Sequence, residues 1–205
     1  MIRILVLVLL SMSPAVATQF GVATKKLLVT NPPSGNRRIV FKATGADIAC
    51  DDPVVAPQQY GATFRLELTP GGGQCFNLPA SGWTLKSTVS GLVFKYKDRD
   101  AANGPVKKAI LKISNCLSTF IVVAKHTSTT PITVVPGDPT LTYGTNWAAH
   151  FSGLDRNEFC SSTGTAAPKK NDQRKFLVAN DDGTTCTAVA CGSPGGAFLD
   201  PAGVW

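Results

Sequence analysis

Short stretches in which apolar and polar residues alternate recur along this chain, and turn-forming residues separate them. In residues 62–68 (ATFRLEL), Phe64, Leu66 and Leu68 fall on one side, and the intervening polar residues fall on the other. A period of two is typical of a β-strand with one buried face. Turn signals rich in Gly, Pro and Asn follow at intervals of roughly 8–12 residues, which indicates a β-sandwich or a β-barrel.

Similar stretches predict strands in much of the remaining chain, and no segment of useful length has the period of an amphipathic helix. The composition agrees, because Glu67 and Glu158 are the only glutamates, whereas helical proteins use many on their exposed faces. Residues 70–73 (PGGG) are predicted to turn the chain toward residues 75–78. The predicted fold is all-β, a single antiparallel β-sandwich (jelly-roll-like) or a related barrel. Its predicted strands are Lys26–Thr30, Arg38–Ala43, Ala62–Leu68, Trp83–Lys86, Leu92–Lys97, Val106–Ile113, Thr119–Ala124, Ile132–Val135, Leu141–Tyr143, Asn146–Phe151 and Lys175–Ala179.

The beginning of the sequence has the order of a secretory signal peptide. Arg3 precedes an unbroken apolar run, Ile4–Leu10, and Ala15-Val16-Ala17 is a small-x-small cleavage site. The run is shorter than the roughly 20 apolar residues that a membrane-spanning helix needs. We therefore expect a signal peptide in residues 1–17, a β-sandwich domain in residues 18–186 and a C-terminal tail in residues 187–205. The mature protein is expected to be secreted, periplasmic or exposed at the cell surface.

The chain contains six cysteines, an even number typical of disulfide bonding in an exported protein. We predict the pairs Cys50–Cys75 and Cys160–Cys186, because each brackets a loop-like segment. Closing the first loop would stabilise the fold by about 3 kcal/mol in the chain-entropy model. Cys116 and Cys191 either pair with each other or leave one thiol free. Metal binding fits poorly, because there is no Cys-x-x-Cys pair and the only histidines are His126 and His150, so no metal or cofactor is expected.

Residues 94–113 (FKYKDRDAANGPVKKAILKI) combine two alternating arms with a polar loop. We expect an antiparallel hairpin over residues 92–113 with Asn103-Gly104 in its turn. A calcium loop is the alternative, but Asp98, Asp100 and Asn103 supply too few oxygens for an ion that takes about six to eight ligands. The side chains expected to face the core are Phe94, Tyr96, Leu111 and Ile113.

The other face of this hairpin carries lysines. Lys95, Lys97, Lys108 and Lys112 are predicted to share one solvent face, with Lys125 on a third strand. Such a face attracts anionic polymers through a salt-dependent field. The alternative is a solvated face whose lysines only keep the sheet from pairing with other chains. Trp83 and Trp147 are a second candidate binding set, through stacking on carbohydrate, unless both rings fill the core.

Catalytic motifs are sparse: the chain has neither Gly-x-Ser-x-Gly nor His-Glu-x-x-His, and a lone His150 beside aromatic residues is typical of a structural role. No recognised nucleic-acid motif accompanies the net charge of +7. We expect a non-catalytic structural or binding module of the cell envelope or extracellular space. The alternatives are a polysaccharide- or anionic-polymer-binding module and, third, a secreted hydrolase. The expected partner is an extracellular polysaccharide or an envelope protein, without nucleic acid and without a membrane span.

The stretch FKYKDRDAANGPVKKAILKI, followed by FIVVAKH, resembles a family of small exported bacterial proteins. That family shares a Tyr-Lys-Tyr-Lys-Asp segment, Gly-Pro-Val-Lys and a Leu-Lys strand, then an aromatic-Cys-Ala-x-Phe-Gly-Gly segment and a near-C-terminal cysteine. Residues 146–153 (NWAAHFSG) and 175–186 (KFLVANDDGTTC) are similar to the later segments, with Ala148 at the cysteine position and Ser152 at a glycine position. The resemblance implies that Cys160 replaces the family cysteine, and it assigns no activity and no functional residue.

Overall fold

A computed structural model describes residues 18–47, 57–69, 72–89, 91–115, 117–136, 146–153 and 157–184. The predicted signal peptide, the predicted tail and the predicted strand Leu141–Tyr143 lie outside these ranges. All twelve described strands join one sheet, most of it antiparallel, which confirms the all-β prediction.

Most of the predicted strands lie at or near their expected positions. The helical segments of the described chain are short: α1 (Pro57–Tyr60) and a 3-10 turn, Ala80–Gly82. The strands are β1 (Thr18–Thr30), β2 (Arg38–Asp47), β3 (Ala62–Thr69), β4 (Gly72–Leu78), β5 (Trp83–Thr88), β6 (Gly91–Lys97), β7 (Val106–Ser114), β8 (Leu117–Lys125), β9 (Asn146–Gly153), β10 (Asn157–Ser162), β11 (Lys170–Asp172) and β12 (Lys175–Val178).

The strand order places β1 at the centre of the sheet. The path runs β4-β3-β9-β10-β1-β2-β8-β7-β6-β5, with β12 also beside β1 and β11 beside β12. The first residues of β1 pair in parallel with β10, and its last residues, Leu27–Thr30, pair antiparallel with β12. One long strand therefore links a half-sheet of β3, β4, β9 and β10 to a second half-sheet of β2 and β5–β8.

A bulge near Lys25 divides β1 between these two halves. The register with β2 shifts between Thr24 and Lys26. Before the shift Val22 and Thr24 are buried, and after it the buried residues are Leu27 and Val29. One extra residue changes the alternation of faces and bends the strand, so both segments of β1 keep their apolar side chains toward the core.

Phenylalanine rings of the two halves contact each other. Phe41 on β2 stacks on Phe64 of β3 with ring centroids 5.4 Å apart, although three strands lie between β2 and β3 along the sheet path. Phe120 on β8 meets Phe159 on β10 at 4.5 Å. Each fully buried ring of this size stabilises the fold by about 1.5–3 kcal/mol. These contacts place the core between the two halves of the sheet.

The prediction of a strand at Ile132–Val135 was wrong. Ile132 and Val134 are fully buried and alternate with more exposed residues, but this segment is not part of a β-sheet. Side chains, rather than a neighbouring strand, bond its backbone. The N–H of Ile132 donates to Nδ1 of His126 at 3.1 Å, and the N–H of Thr133 donates to Oε1 of Gln74 at 2.7 Å. Alternation reports which side chains are buried, and it does not show where the backbone groups find partners.

β4, β10 and β11 were not predicted, and part of the predicted turn at residues 70–73 is strand. Gly72 has a φ of 83°, so the chain turns there and enters β4 at once. In β10, four consecutive residues, Phe159 to Ser162, are buried. A strand covered on both faces loses the alternation by which the sequence would reveal it.

Candidate anion-binding face

The hairpin of β6 and β7 presents its lysines to solvent as predicted. Leu92 pairs with Ile113, Phe94 with Leu111 and Lys97 with Lys108, in an antiparallel register without a break. Phe94, Tyr96 and Leu111 are buried, and Ile113 packs against the core. The side chains of Lys95, Lys97, Lys108 and Lys112 are all exposed.

The loop between these strands is organised by Asp98. Its Oδ1 accepts the N–H of Ala102 at 3.0 Å, and its Oδ2 accepts the N–H of Asn103 at 2.8 Å. Positive φ angles occur at Ala101 (55°) and Gly104 (134°), so Gly104 has the predicted role and Ala101 was not foreseen. Both carboxylate oxygens of Asp98 serve the backbone turn, which gives this carboxylate a structural role.

The exposed face of the hairpin continues across β8, β2 and β1. Lys125 on β8 lies directly opposite Arg38 on β2, and Lys42 on β2 lies directly opposite Lys26 on β1. All four side chains are exposed, as are those of the pair Lys97 and Lys108. We define the basic face as the exposed cations on the outer side of β1 and the second half-sheet: Lys26, Arg38, Lys42, Lys86, Lys95, Lys97, Lys108, Lys112 and Lys125.

The strands that carry the basic face contain almost no acidic residue. Strands β1, β5, β6, β7 and β8 contain neither Asp nor Glu, and β2 contains only its last residue, Asp47. Ion pairs of the described residues, Arg65–Glu67 and Lys170–Asp172, lie on β3 and β11. The positive charges on this face therefore have no opposite charge among their cross-strand neighbours.

Aliphatic side chains lie between the cations. Ile110 pairs with Ile121, and Val40 pairs with Val123, and all four are half-buried on the outer side of the sheet. Lysine stems can lie over such residues while the ammonium groups remain in water. The face thus combines half-buried aliphatic side chains with exposed cations on the same side of the sheet.

The structure removes Trp83 from the candidate binding residues. Its side chain is 5% exposed, its ring lies 5.5 Å from that of Tyr96, and its Nε1–H donates to the carbonyl of Leu78 at 3.1 Å. A ring buried on this scale has no free face for a sugar, so its proposed stacking role is corrected to a core role. Trp147 lies on β9 opposite Leu68, in a segment whose side chains the structure does not describe.

The histidines do not assemble a catalytic site among the described side chains. Nδ1 of His126 accepts the N–H of Ile132, so this imidazole supports a loop. His150 lies on β9 opposite Arg65 and Cys160, and its side chain is outside the described set. Within the described ranges, no group of three or more His, Cys, Asp or Glu side chains is arranged to hold a metal ion.

Cys75 lies on β4, and Cys160 lies on β10. Cys75, Arg65, His150 and Cys160 follow one another in register across β4, β3, β9 and β10. Three strand spacings of about 4.8 Å separate the two cysteines, which exceeds the roughly 7 Å limit for a disulfide. Cys75 and Cys160 therefore do not pair with each other, and the predicted pairings stay predictions.

Sequence reasoning identified the lysines of the hairpin and Lys125, and it missed Lys26, Arg38, Lys42 and Lys86. The first three lie on β1 and β2, far from the hairpin in sequence, and join the face only through the pairing of β2 with β8. The alternating pattern of Arg38–Ala43 showed that Arg38 and Lys42 share a side of their strand. It held no signal for the neighbouring strand.

No family model, no curated protein and no solved structure matches this chain. The resemblance to small exported bacterial proteins therefore remains an expectation. None of the helices within the described ranges has the length and apolar character needed to cross a bilayer.

Proposed function

We propose that this protein is a non-catalytic, exported binding module whose basic face binds an acidic polysaccharide. One observation carries the proposal: three pairs of cations lie directly opposite each other on neighbouring strands, Lys97 with Lys108, Arg38 with Lys125, and Lys26 with Lys42. A free sheet gains nothing from such pairs. A bound polyanion would convert each of them into an attractive contact.

The magnitudes favour a ligand that makes many weak contacts. Two unit charges about 5 Å apart repel by roughly 1 kcal/mol in water. Like charges directly opposite in a sheet destabilise it by a few tenths of a kcal/mol to about 1 kcal/mol. Each exposed cation contributes a similar amount to binding an anion, so useful affinity requires several cations acting together. An extended, repeating anion meets that requirement better than a single small one.

The spacing of the face suits an extended chain. Neighbouring strands are about 4.8 Å apart, and alternate residues along one strand are about 6.8 Å apart. Lys95 and Lys97 on β6, with Lys108 and Lys112 on β7, therefore form a flat array of charges rather than a closed pocket. Monosaccharide units bearing carboxylate, sulfate or phosphate groups repeat on a comparable length scale.

The aliphatic side chains of the face favour polysaccharide over nucleic acid. Sugar rings present apolar C–H surfaces between their charged groups, and Ile110, Ile121, Val40 and Val123 supply a matching half-buried surface. Binding of single-stranded nucleic acid instead relies on aromatic side chains that stack with bases. The outer positions of β5–β8 carry Thr, Lys, Val, Ile and Ser but no aromatic residue.

Protection of the sheet edge does not account for the distribution of these cations. Exposed lysines on edge strands discourage pairing with other chains. The edge strand β5 carries one cation of the basic face, Lys86, whereas β2, β7 and β8 lie inside the sheet. Like-charge pairs on inner strands do not serve edge protection, which supports a binding role.

We also propose the finer architecture: two packed half-sheets forming a β-sandwich, exported after signal-peptide cleavage and held by disulfides. Phe41–Phe64 and Phe120–Phe159 contacts between the halves support the sandwich. For the second predicted disulfide, Thr184 packs over Gly21, which pairs with Cys160 in the parallel register. The chain therefore passes the face of Cys160 two residues before Cys186, which supports the Cys160–Cys186 pairing.

Binding to immobilised polygalacturonate, measured over a range of NaCl concentrations, tests the function. We expect retention at low salt and a loss of affinity of roughly tenfold or more as the screening length falls below about 10 Å. The triple variant Lys97→Gln/Lys108→Gln/Lys112→Gln should bind at least roughly tenfold more weakly, since three exposed charges contribute about 1.5 kcal/mol together.

A matched control removes three exposed cations elsewhere: Arg99→Gln/Lys169→Gln/Arg174→Gln, all in loops or turns. This control has the same net charge as the test variant and should bind within about twofold of the wild type. Equal weakening in both variants would show an effect of net charge alone and would contradict the assigned face. Retention on neutral dextran, or equally tight binding to double-stranded DNA, would contradict an acidic polysaccharide as the ligand.

A further inference from the structure

A second site lies where the chain leaves β12 and meets the loop after β10. Asp181 forms an isolated antiparallel bridge with Thr24 of β1, through backbone bonds of 2.9 Å and 2.8 Å. The next residues run beside β10, because the N–H of Ser162 donates to the carbonyl of Gly183 at 3.0 Å. Two consecutive aspartates, Asp181 and Asp182, are thereby fixed against residues 163–166.

The carboxylate of Asp181 is buried and incompletely satisfied. The residue is 1% exposed, and its Oδ2 has no hydrogen-bond partner. Its Oδ1 accepts only long contacts, from the N–H of Ala166 at 3.5 Å and that of Gly183 at 3.4 Å. A buried carboxylate oxygen without a partner is costly, and natural proteins compensate such groups with a donor or a cation.

Asp182 approaches the same place from the solvent side. Its Oδ1 accepts both the N–H and the hydroxyl of Thr165 at 3.0 Å. An ideal Cβ built on Gly164 would collide with Oδ1 of Asp181 and with Oδ1 of Asp182. The absence of a side chain at Gly164 therefore allows two carboxylates to converge.

Neutral hydroxyl and carbonyl oxygens occur in the adjoining residues. The hydroxyls of Thr24 and Ser161 bond each other at 2.6 Å, and that of Ser161 reaches the carbonyl of Gly183 at 3.3 Å. No ion pair to Asp181 or Asp182 occurs among the ion pairs of the described residues. The two convergent carboxylates supply oxygens of the kind that hard divalent cations prefer.

We propose that Asp181 and Asp182 bind one Ca²⁺ ion at this junction between β12 and the loop after β10. Calcium is the fitting ion because it accepts carboxylate, carbonyl and water oxygens in irregular geometry, whereas Mg²⁺ demands a near-ideal octahedron. With two carboxylates, the affinity belongs to the weak class of extracellular modules, with a Kd of roughly 0.1–1 mM. The bound ion ties the last described segment of the chain to the sheet. This site is independent of the basic face.

Thermal unfolding of the EDTA-treated full chain, with CaCl₂ titrated to 20 mM, tests the proposal. We expect the Tm to rise with CaCl₂, as it does for any ligand that binds only the native state, and MgCl₂ at the same concentrations to give a much smaller rise. Isothermal titration calorimetry should give one Ca²⁺ per chain. Asp182→Asn, at an exposed position, should weaken calcium binding at least roughly tenfold, and Asp181→Asn should abolish the Tm response.

The matched control is Asp172→Asn. Asp172 is the last residue of β11, where its Oδ1 accepts the N–H groups of Arg174 and Lys175, and its Oδ2 pairs with Lys170. This variant should keep the calcium response of the wild type. An unchanged Tm in CaCl₂, or an Asp182→Asn variant that binds Ca²⁺ as tightly as the wild type, would overturn the site. If Asp181→Asn fails to fold, Asp182→Asn and the calorimetric stoichiometry decide the matter.

Discussion

Lys97 and Lys108 lie directly opposite each other on β6 and β7, and both side chains are exposed. Their repulsion destabilises the folded sheet, and a bound ligand of opposite charge would offset this repulsion. Lys95, two residues earlier on β6, lies opposite Ile110 and Thr84 instead and bears no such cost. The effect of the like-charge pair on stability can therefore be measured by comparing substitutions at Lys97 and Lys95.

Lys97→Glu is expected to raise the free energy of unfolding by about 0.2–1 kcal/mol, because a like-charge pair becomes an opposite-charge pair with Lys108. The same variant should lose affinity for polygalacturonate. Urea denaturation at low salt measures the first effect, and the gain should shrink in 1 M NaCl. The control, Lys95→Glu, lacks an opposite cation directly across the ladder, so a gain in stability as large as that of Lys97→Glu would contradict the cross-strand explanation.

Asp98→Ala is expected to destabilise the protein by about 1–3 kcal/mol, since it leaves the N–H groups of Ala102 and Asn103 without their acceptor. Asp98→Asn keeps one acceptor oxygen and should give an intermediate value. Chemical denaturation measures both. The exposed neighbour Asp100 provides the control, with an expected change below about 0.5 kcal/mol for Asp100→Ala. Equal effects at both positions would show that Asp98 does not organise the loop.

Tyr96 gives the protein a specific alkaline sensitivity. Burial, and then the negative charge of Asp98, raise its pKa from 10.0 to about 12. Below the pKa of Tyr96 in the unfolded chain, the phenol is protonated in both the folded and the unfolded state. Its contribution to the free energy of unfolding is therefore fully present there. As pH rises from 10 toward 12, the unfolded chain ionises first, and the stability falls by about 1 kcal/mol in the first pH unit.

Urea unfolding at several pH values between 9 and 12 measures this loss of stability. Tyr96→Phe removes the ionising group, so its free energy of unfolding should decline less steeply with pH. Tyr60→Phe is the matched control, since Tyr60 is 41% exposed, and it should keep the wild-type dependence. The same decline in the wild type and in Tyr96→Phe would assign the effect to lysines rather than to this phenol.

The disulfides can be mapped by mass spectrometry of non-reduced proteolytic peptides. We expect linked peptides containing Cys50 with Cys75 and Cys160 with Cys186. The position of Thr184 over Gly21 gives the second pairing its structural support. A linkage of Cys160 to Cys116 or Cys191 would refute it, and so would free thiols at Cys75 and Cys160.

The sequence by itself determined the local features of this protein. The hairpin of residues 92–113 was predictable, because alternation on both arms and the Asn103-Gly104 turn act within about 20 residues of one another. Its division into core residues such as Phe94 and surface residues such as Lys95 followed from the same period of two. The all-β class followed from the recurrence of that pattern along the chain.

Only the tertiary structure decided what depends on contacts between distant segments. The pairing of β2 with β8 brings Arg38 opposite Lys125, and no local pattern encodes which strand becomes a neighbour. Burial on both faces concealed β10. Side-chain hydrogen bonds from His126 and Gln74 replaced the strand ladder expected at Ile132. Contacts between distant segments also decide the extent of the basic face, the core position of Trp83 and the convergence of Asp181 with Asp182. Alternation in the sequence shows that a side chain is buried, but it does not show which segment covers it.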